Sequence, residues 1–182
     1  MISGTARGRR IQAPAGRGTR PITDRAKEGI FNMVQSLGGV EGALVVDLFA
    51  GSGSFGIECL SRGAERVVFV ERHRAAVATL EANLTNLGFA DRATVIAGPV
   101  AGALPGLPAA DVAFCDPPYA DDPWAEILDG LRAELLVGHA ETPIELTDRW
   151  VELRRRSYGK AQIVIAERAP RSADGAEPAV DC

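Results

Sequence analysis

Residues 43–56, ALVVDLFAGSGSFG, constrain the fold more than any other stretch of this chain. An apolar run interrupted by a single acid reads as a strand buried on both faces, the pattern of a central parallel strand. The run breaks into a glycine-rich turn and then into a helical segment that continues to about Arg62. A strand feeding a helix through a tight turn is half of a βαβ unit, and a second parallel strand is expected to follow. RVVFVE at 66–71 supplies it.

The alternation continues in both directions. Residues 73–87 set Ala76, Leu80, Asn83, Leu84 and Leu87 on one helical face, and ATVIAG (93–98) and DVAFC (111–115) read as a third and a fourth strand. Upstream, Ala26, Ile30, Met33, Val34 and Leu37 fall at helical spacing, with Thr23 as N-cap and Gly38-Gly39 as the stop. Near the end, VELRRRSYG and AQIVIAER pair as an antiparallel hairpin through Gly159. The pattern predicts an α/β fold over 23–168: a doubly wound, Rossmann-like sheet, mostly parallel, with a C-terminal antiparallel hairpin. A basic N-terminal arm or hairpin is expected over 1–22 and a disordered polar tail over 169–182. One stretch does not conform. A helix is predicted over 124–136, and no apolar strand is legible after Leu136, so either ETPIEL (141–146) stands in for a fifth strand or a short segment is missing from the sequence.

At 182 residues, 46% hydrophobic and 24% charged, the chain suits one soluble domain, and no apolar run approaches the ~20 residues of a membrane span. The first ten residues carry charge with no apolar stretch behind them, which argues against a secretory signal. Cys59, Cys115 and Cys182 are unpatterned and fit a reducing, cytoplasmic setting, with Cys59 and Cys115 read as small buried hydrophobes. Neither His73 nor His139 stands at metal-ligand spacing from a cysteine, so no metal is expected.

The net charge of −4 hides a segregated distribution. Residues 1–27 hold Arg7, Arg9, Arg10, Arg17, Arg20, Arg25 and Lys27 against Asp24 alone, and residues 151–160 hold Arg154, Arg155, Arg156 and Lys160 against Glu152. An acidic body with a basic arm and a basic patch carries the electrostatic footprint of a polyanion-binding protein.

Gly51, Gly53 and Gly56 form G-x-G-x-x-G between strand and helix, and Glu71 ends the next strand 20 residues after Gly51, placed to accept hydrogen bonds from ribose hydroxyls. A dinucleotide and S-adenosylmethionine both fit this fingerprint. Asp47, at the end of the first strand, favours the second, because a carboxylate there would meet the cationic amine of a methionine moiety and would repel a pyrophosphate. After the fourth strand comes Asp116-Pro117-Pro118-Tyr119. Two prolines stiffen the backbone and withhold its donors. The Asp116 carboxylate and the Pro117 carbonyl would then accept the two N–H bonds of an exocyclic amino group, and the Tyr119 ring would stack on the base that carries it. Such a nitrogen has its lone pair delocalised into the ring, and fixed acceptors favour its attack on a methyl group.

DLFAGSGSFG, FVE and DPPY in this order resemble the motifs of class I S-adenosylmethionine-dependent methyltransferases acting on exocyclic amino groups. GTARGRRIQAP, GTRPITDRAKEGIFNMV and the late RRSYG resemble, more narrowly, the bacterial 16S rRNA guanine-N2 methyltransferase family known as RsmD, over roughly 3–130 and 151–168. The resemblance implies S-adenosyl-L-methionine as cofactor, held by Asp47, Ala50, Gly51, Ser52, Gly53, Glu71, Arg72, Gly98, Val100 and Asp116. It implies catalysis by Asp116, Pro117, Pro118 and Tyr119, and phosphate contacts from Arg7, Arg9, Arg10, Arg17, Arg20, Thr23, Arg25 and Lys27. The partner it implies is 16S rRNA in an assembled or assembling 30S subunit, met by a monomer. Ile22 stands where the family usually has threonine, and AGPV at 97–100 lacks the polar residue with which many relatives bond the adenine amine. Adenine would there rest on backbone groups and on Val100. Two alternatives follow from the motifs alone: a DNA adenine or cytosine amino-methyltransferase, and an NAD-binding oxidoreductase.

Overall fold

The structure is a computed structural model that describes residues 1–13, 23–118 and 122–170. In chain order its elements are α1 (Asp24–Gln35), β1 (Leu44–Leu48), α2 (Ser54–Ser61), β2 (Arg66–Glu71), α3 (Arg74–Leu87), β3 (Ala93–Ala97), α4 (Val100–Ala103), β4 (Ala110–Cys115), α5 (Trp124–Gly130), β5 (Ala133–Ala140), β6 (Trp150–Tyr158) and β7 (Ala161–Arg168). Among the described residues the strands form one seven-stranded sheet in the order β3-β2-β1-β4-β5-β7-β6. Strands β1 to β5 run parallel, while β7 enters antiparallel beside β5 and β6 closes the edge antiparallel to β7. The doubly wound sheet and its terminal hairpin match the sequence expectation.

Alternation along the central strands divides the core into two layers. Val45, Val67, Phe69, Val112, Phe114, Ile163 and Ile165 face the side covered by α1, α2 and α3. Val46, Leu48, Val68, Val70, Ala113, Cys115, Val164 and Ala166 face α4 and α5. Covering both faces explains why these strands read as continuous apolar runs. Phe31 of α1, Phe55 of α2 and Phe114 of β4 meet at centroid distances of 5.2–6.3 Å, which locks the first two helices to the strand that leads into Asp116. Thr23 caps α1 as expected, its Oγ1 accepting from the Ala26 N–H at 3.2 Å, a contact worth about 1 kcal/mol. Cys59 and Cys115 are buried free thiols, and burial pushes both thiols above their ordinary range, which keeps them protonated.

The expectation for residues 124–146 is corrected. The helix α5 ends at Gly130, and Ala133–Ala140 (AELLVGHA) is the fifth strand, paired with β4 on one side and β7 on the other. Strand β5 fills the place between β4 and β7, and ETPIEL lies outside the sheet.

Residues 1–13 lie against α2 and α3. The backbone N–H groups of Ile2 and Ser3 donate to the two carboxylate oxygens of Glu58 at 2.9 Å each, Ala6 N–H reaches Ser61 Oγ at 3.0 Å, and the Ala6 side chain joins the core. Glu58 is fully buried and also takes Arg62 Nε at 2.9 Å, with Lys27 Nζ at 3.8 Å. The rest of the expected arm, residues 14–22, and residues 171–182 of the expected tail lie outside the described residues. Among the described residues no helix is long and apolar enough to cross a membrane.

Candidate active site

The motif residues gather at the C-terminal ends of β1, β2 and β4, where β1 has β2 on one side and β4 on the other. Open α/β sheets place their binding crevices at such a reversal of strand order. Leaving β1, the chain turns at Phe49, a non-glycine residue with φ of 59°. Backbone in this region costs a bulky side chain roughly 1–3 kcal/mol and recurs at ligand sites. The Ala50 N–H then returns to the Val70 carbonyl at 3.0 Å, and Gly53, at φ 84°, starts α2. A Cβ on Gly53 would stand 2.4 Å from Leu80 Cδ1, and one on Gly56 would stand 2.2 Å from Phe69 Cε1. The second glycine thus makes the turn and the third lets α2 lie flat on β2.

Carboxylates hold the loop from below. Glu71 Oε2 accepts from the Gly51 N–H at 2.9 Å, and its Oε1 accepts from the His73 N–H at 2.7 Å. Asp47 Oδ2 accepts from the Gly56 N–H at 2.8 Å, with the residue 2% exposed. Burial pushes the Asp47 carboxyl up to about 7. Its bond to Gly56 opposes the shift, Asp116 adds to it, Lys27 opposes it and Glu71 adds to it. Asn83 of α3 ties the loop to the N-terminal segment: its Nδ2 donates to the carbonyls of Ser52 and Gln12 at 3.0 Å each, and its Oδ1 accepts from the Gln12 N–H at 2.8 Å.

Beside the loop lies a cavity of about 320 Å³ whose walls include Phe49, Val70, Val100 and Ile127, with Arg72, Gly98 and Glu126 at its polar positions. Arg72, Gly98 and Val100 line this cavity together. Gly98 is fixed by its N–H on the Glu71 carbonyl at 3.0 Å. A mainly apolar cavity lined by the two residues that flank Glu71, with Glu71 and Asp116 both electrostatically coupled to Asp47, has the chemistry to take an aromatic heterocycle joined to a cation. It is ill suited to a pyrophosphate, because the Gly51 amide is already engaged by a carboxylate.

Asp116 follows β4 directly, its side chain 35% exposed, and Pro117 is buried while Pro118 is half-buried. One partner was not anticipated from sequence: His139 Nδ1 lies 2.7 Å from Asp116 Oδ1. Pairing of Cys115 with Gly138 between β4 and β5 puts the two residues side by side at the end of the sheet. Tyr119 lies outside the described residues, as do Arg17 and Arg20.

Of the basic residues anticipated to grip phosphates, Arg7, Arg10 and Arg25 are exposed, and exposed Arg9 donates to the Asn86 carbonyl. Lys27 is a correction. It is 5% exposed and its ammonium donates to Ser54 Oγ at 3.1 Å, so it braces α1 on the start of α2 and does not face a polyanion. The signal was in the periodicity: Lys27 shares the inner face of α1 with Ile30, Phe31 and Val34.

A doubly wound sheet whose last-inserted strand runs antiparallel, with the amides of its glycine loop turned to carboxylates, is the frame of a Rossmann-like methyltransferase rather than of a dinucleotide enzyme. Comparison with known proteins agrees. A methyltransferase structure from Escherichia coli, "Putative methyltransferase yhhF", superposes with a TM-score of 0.81 at 30% identity, covering 92% of this chain and 96% of that one. The Bacillus subtilis protein "Putative rRNA methyltransferase YlbH" is 35% identical over 179 residues, 91% of this chain and 96% of the relative. "Ribosomal RNA small subunit methyltransferase D" of Escherichia coli K12 is 36% identical over 120 residues, 65% of this chain and 59% of the relative. The family model described as Conserved hypothetical protein 95 matches residues 1–167, and the chain belongs to that family.

Proposed function

We propose that this chain methylates the exocyclic N2 of a guanine in small-subunit ribosomal RNA, with S-adenosyl-L-methionine as methyl donor. The observation that carries the reading is the placement of the Asp116 carboxylate and the Pro117 carbonyl at the end of β4, beside the carboxylate-braced loop and the apolar cleft. The names of the Bacillus and Escherichia relatives supply the RNA class.

The cofactor, when bound, supplies an electrophilic methyl carbon. Val100 and Ile127 would hold its adenine, the Glu71 carboxylate would accept from its ribose hydroxyls, and the carboxylate group around Asp47 would take its cationic amine. Asp116 and Pro117 hold the two N–H bonds of the target amine. Its lone pair would thereby be directed at the methyl group. As the N–C bond forms the methyl–sulfur bond breaks, S-adenosylhomocysteine leaves, and the methylated nitrogen then gives one proton to the Asp116 carboxylate that already accepts its N–H, and from there to solvent. Tyr119, as the next residue after the prolines, would stack on the flipped base. The exposed Arg7, Arg10 and Arg25 would contact RNA phosphates.

Incubation with labelled S-adenosyl-L-methionine and unmodified 30S subunits tests the reading. Label on guanine N2 of 16S rRNA is expected. Transfer to DNA or to protein, with none to 30S subunits, would overturn it.

A further inference from the structure

The mechanism leaves His139 unused, although a polar ring on a central, buried strand needs a reason. Its neighbours on β5 are apolar or small: Leu136, Val137 and Ala140 are core residues, and Gly138 packs so closely that a Cβ there would stand 2.8 Å from Ile144 Cδ1 and 2.9 Å from the Trp124 ring. His139 pairs with Ile163 of β7, and the preceding Gly138 pairs with Cys115 of β4, so its backbone sits on a strand held on both sides up to that point. Asp116 differs. It is the first residue beyond β4, partly solvated, with a carboxylate free to rotate unless something holds it.

We propose that His139 is a positioning residue for the Asp116 carboxylate. This inference rests on the amino-methylation reading above. For Asp116 to serve as an acceptor for the target amine, the proton of the 2.7 Å contact must sit on His139 Nδ1, with Oδ1 accepting. With Oδ1 engaged by a ring anchored in the sheet, Asp116 keeps one orientation, and Oδ2 remains to receive an N–H of the target amine. The flanking Pro117 fixes the second acceptor through its backbone, so one acceptor is set by proline geometry and the other by a histidine from the next strand. The pair is assembled by strand order alone, since 23 residues separate its members.

Two substitutions and one spectrum test this. His139→Leu removes the N–H and keeps an apolar side chain in the strand. His139→Asn keeps an N–H near the position of Nδ1. The expected result is a ~10- to 100-fold lower single-turnover methylation rate for His139→Leu, recovery to within about threefold of the parent for His139→Asn, and cofactor affinity within about twofold for both. Equal losses in both variants would assign His139 to strand packing and overturn the proposal, as would full activity of His139→Leu. Because the chain has two histidines, a His73→Ala background leaves one imidazole to observe. Its Nδ1 proton should appear as a slowly exchanging, downfield resonance that is lost in Asp116→Ala; persistence of that resonance would also overturn the proposal. The spectrum needs no substrate, and the methylated position is read from the parent enzyme's product. A wrong guanine assignment is therefore distinguishable from a wrong role for His139.

Discussion

The Asp47 carboxyl offers the sharpest test of how this site receives a cation. Burial raises it from 3.8 to about 7 in the unliganded protein, with Asp116 and Glu71 adding to the effect. A ligand that brings a cationic amine to this group favours its ionised form, so below pH 7 binding must first expel a proton. About nine-tenths of the carboxyl groups are ionised at pH 8 and about one-tenth at pH 6, so the apparent affinity for S-adenosylhomocysteine should fall about tenfold between those values. Titration calorimetry in buffers of different ionisation enthalpy should show proton release at pH 6 and almost none at pH 8. In Asp47→Asn the amide oxygen still accepts from Gly56, the affinity is lower at pH 8, and the pH dependence disappears. Stability moves with the opposite sense. A carboxyl raised in the folded state contributes fully below its unfolded value of 3.8, and that contribution is lost as pH rises through about 7. The unliganded parent should therefore become less stable from pH 4 to pH 8, by a few kcal/mol from this group, with the slope flattened in Asp47→Asn. A binding constant that stays level from pH 8 to pH 6 would refute the placement of the amine beside Asp47.

Three further outcomes are expected. Gly56→Ala forces a methyl group to within 2.2 Å of Phe69 Cε1 and 2.8 Å of Val67 Cγ1, so thermal denaturation should show a loss of about 1–3 kcal/mol together with weaker cofactor binding. Asp116→Ala should lower turnover at least ~100-fold while cofactor affinity stays within about threefold, and equal losses in both would place Asp116 in the cofactor site instead. Arg154 and Arg156 are exposed on β6, whose hairpin turn lies at the same end of the sheet as His139, since Ala140 pairs with Gln162 and Tyr158 with Ala161. Replacing both by serine should reduce the slope of log affinity for 16S rRNA against log salt by about 1.4, measured by filter binding, and an unchanged slope would remove this edge from the RNA surface.

The fifth strand shows how a sound reading of periodicity goes wrong. AELLVGHA begins with strong helix formers directly after a real helix, and its burial on both faces erases the alternation that would mark a strand. Gly130 was the local stop, but nothing nearby required the chain to extend after it. What required it was the vacancy between β4 and β7, a fact about the sheet and not about residues 131–140. Lys27 failed for a related reason. Counted as charge it belongs to a basic arm, but on its helix it falls on the inner face, where Ser54 and Glu58 receive it.

The glycine loop, the acid ending β2 and the Asp-Pro-Pro turn were legible because each acts through local geometry: a positive φ, a close backbone approach, a fixed proline ring. Sequence alone therefore determined the doubly wound sheet and where along the chain its chemistry lies. The tertiary structure decided how the carboxylates are used. Glu71 and Asp47 each brace a loop amide, and Asp116 is held by a histidine from the neighbouring strand. Those contacts join residues 9 to 23 positions apart, and only the parallel pairing of strands brings such distant carboxylates, amides and rings within hydrogen-bond reach.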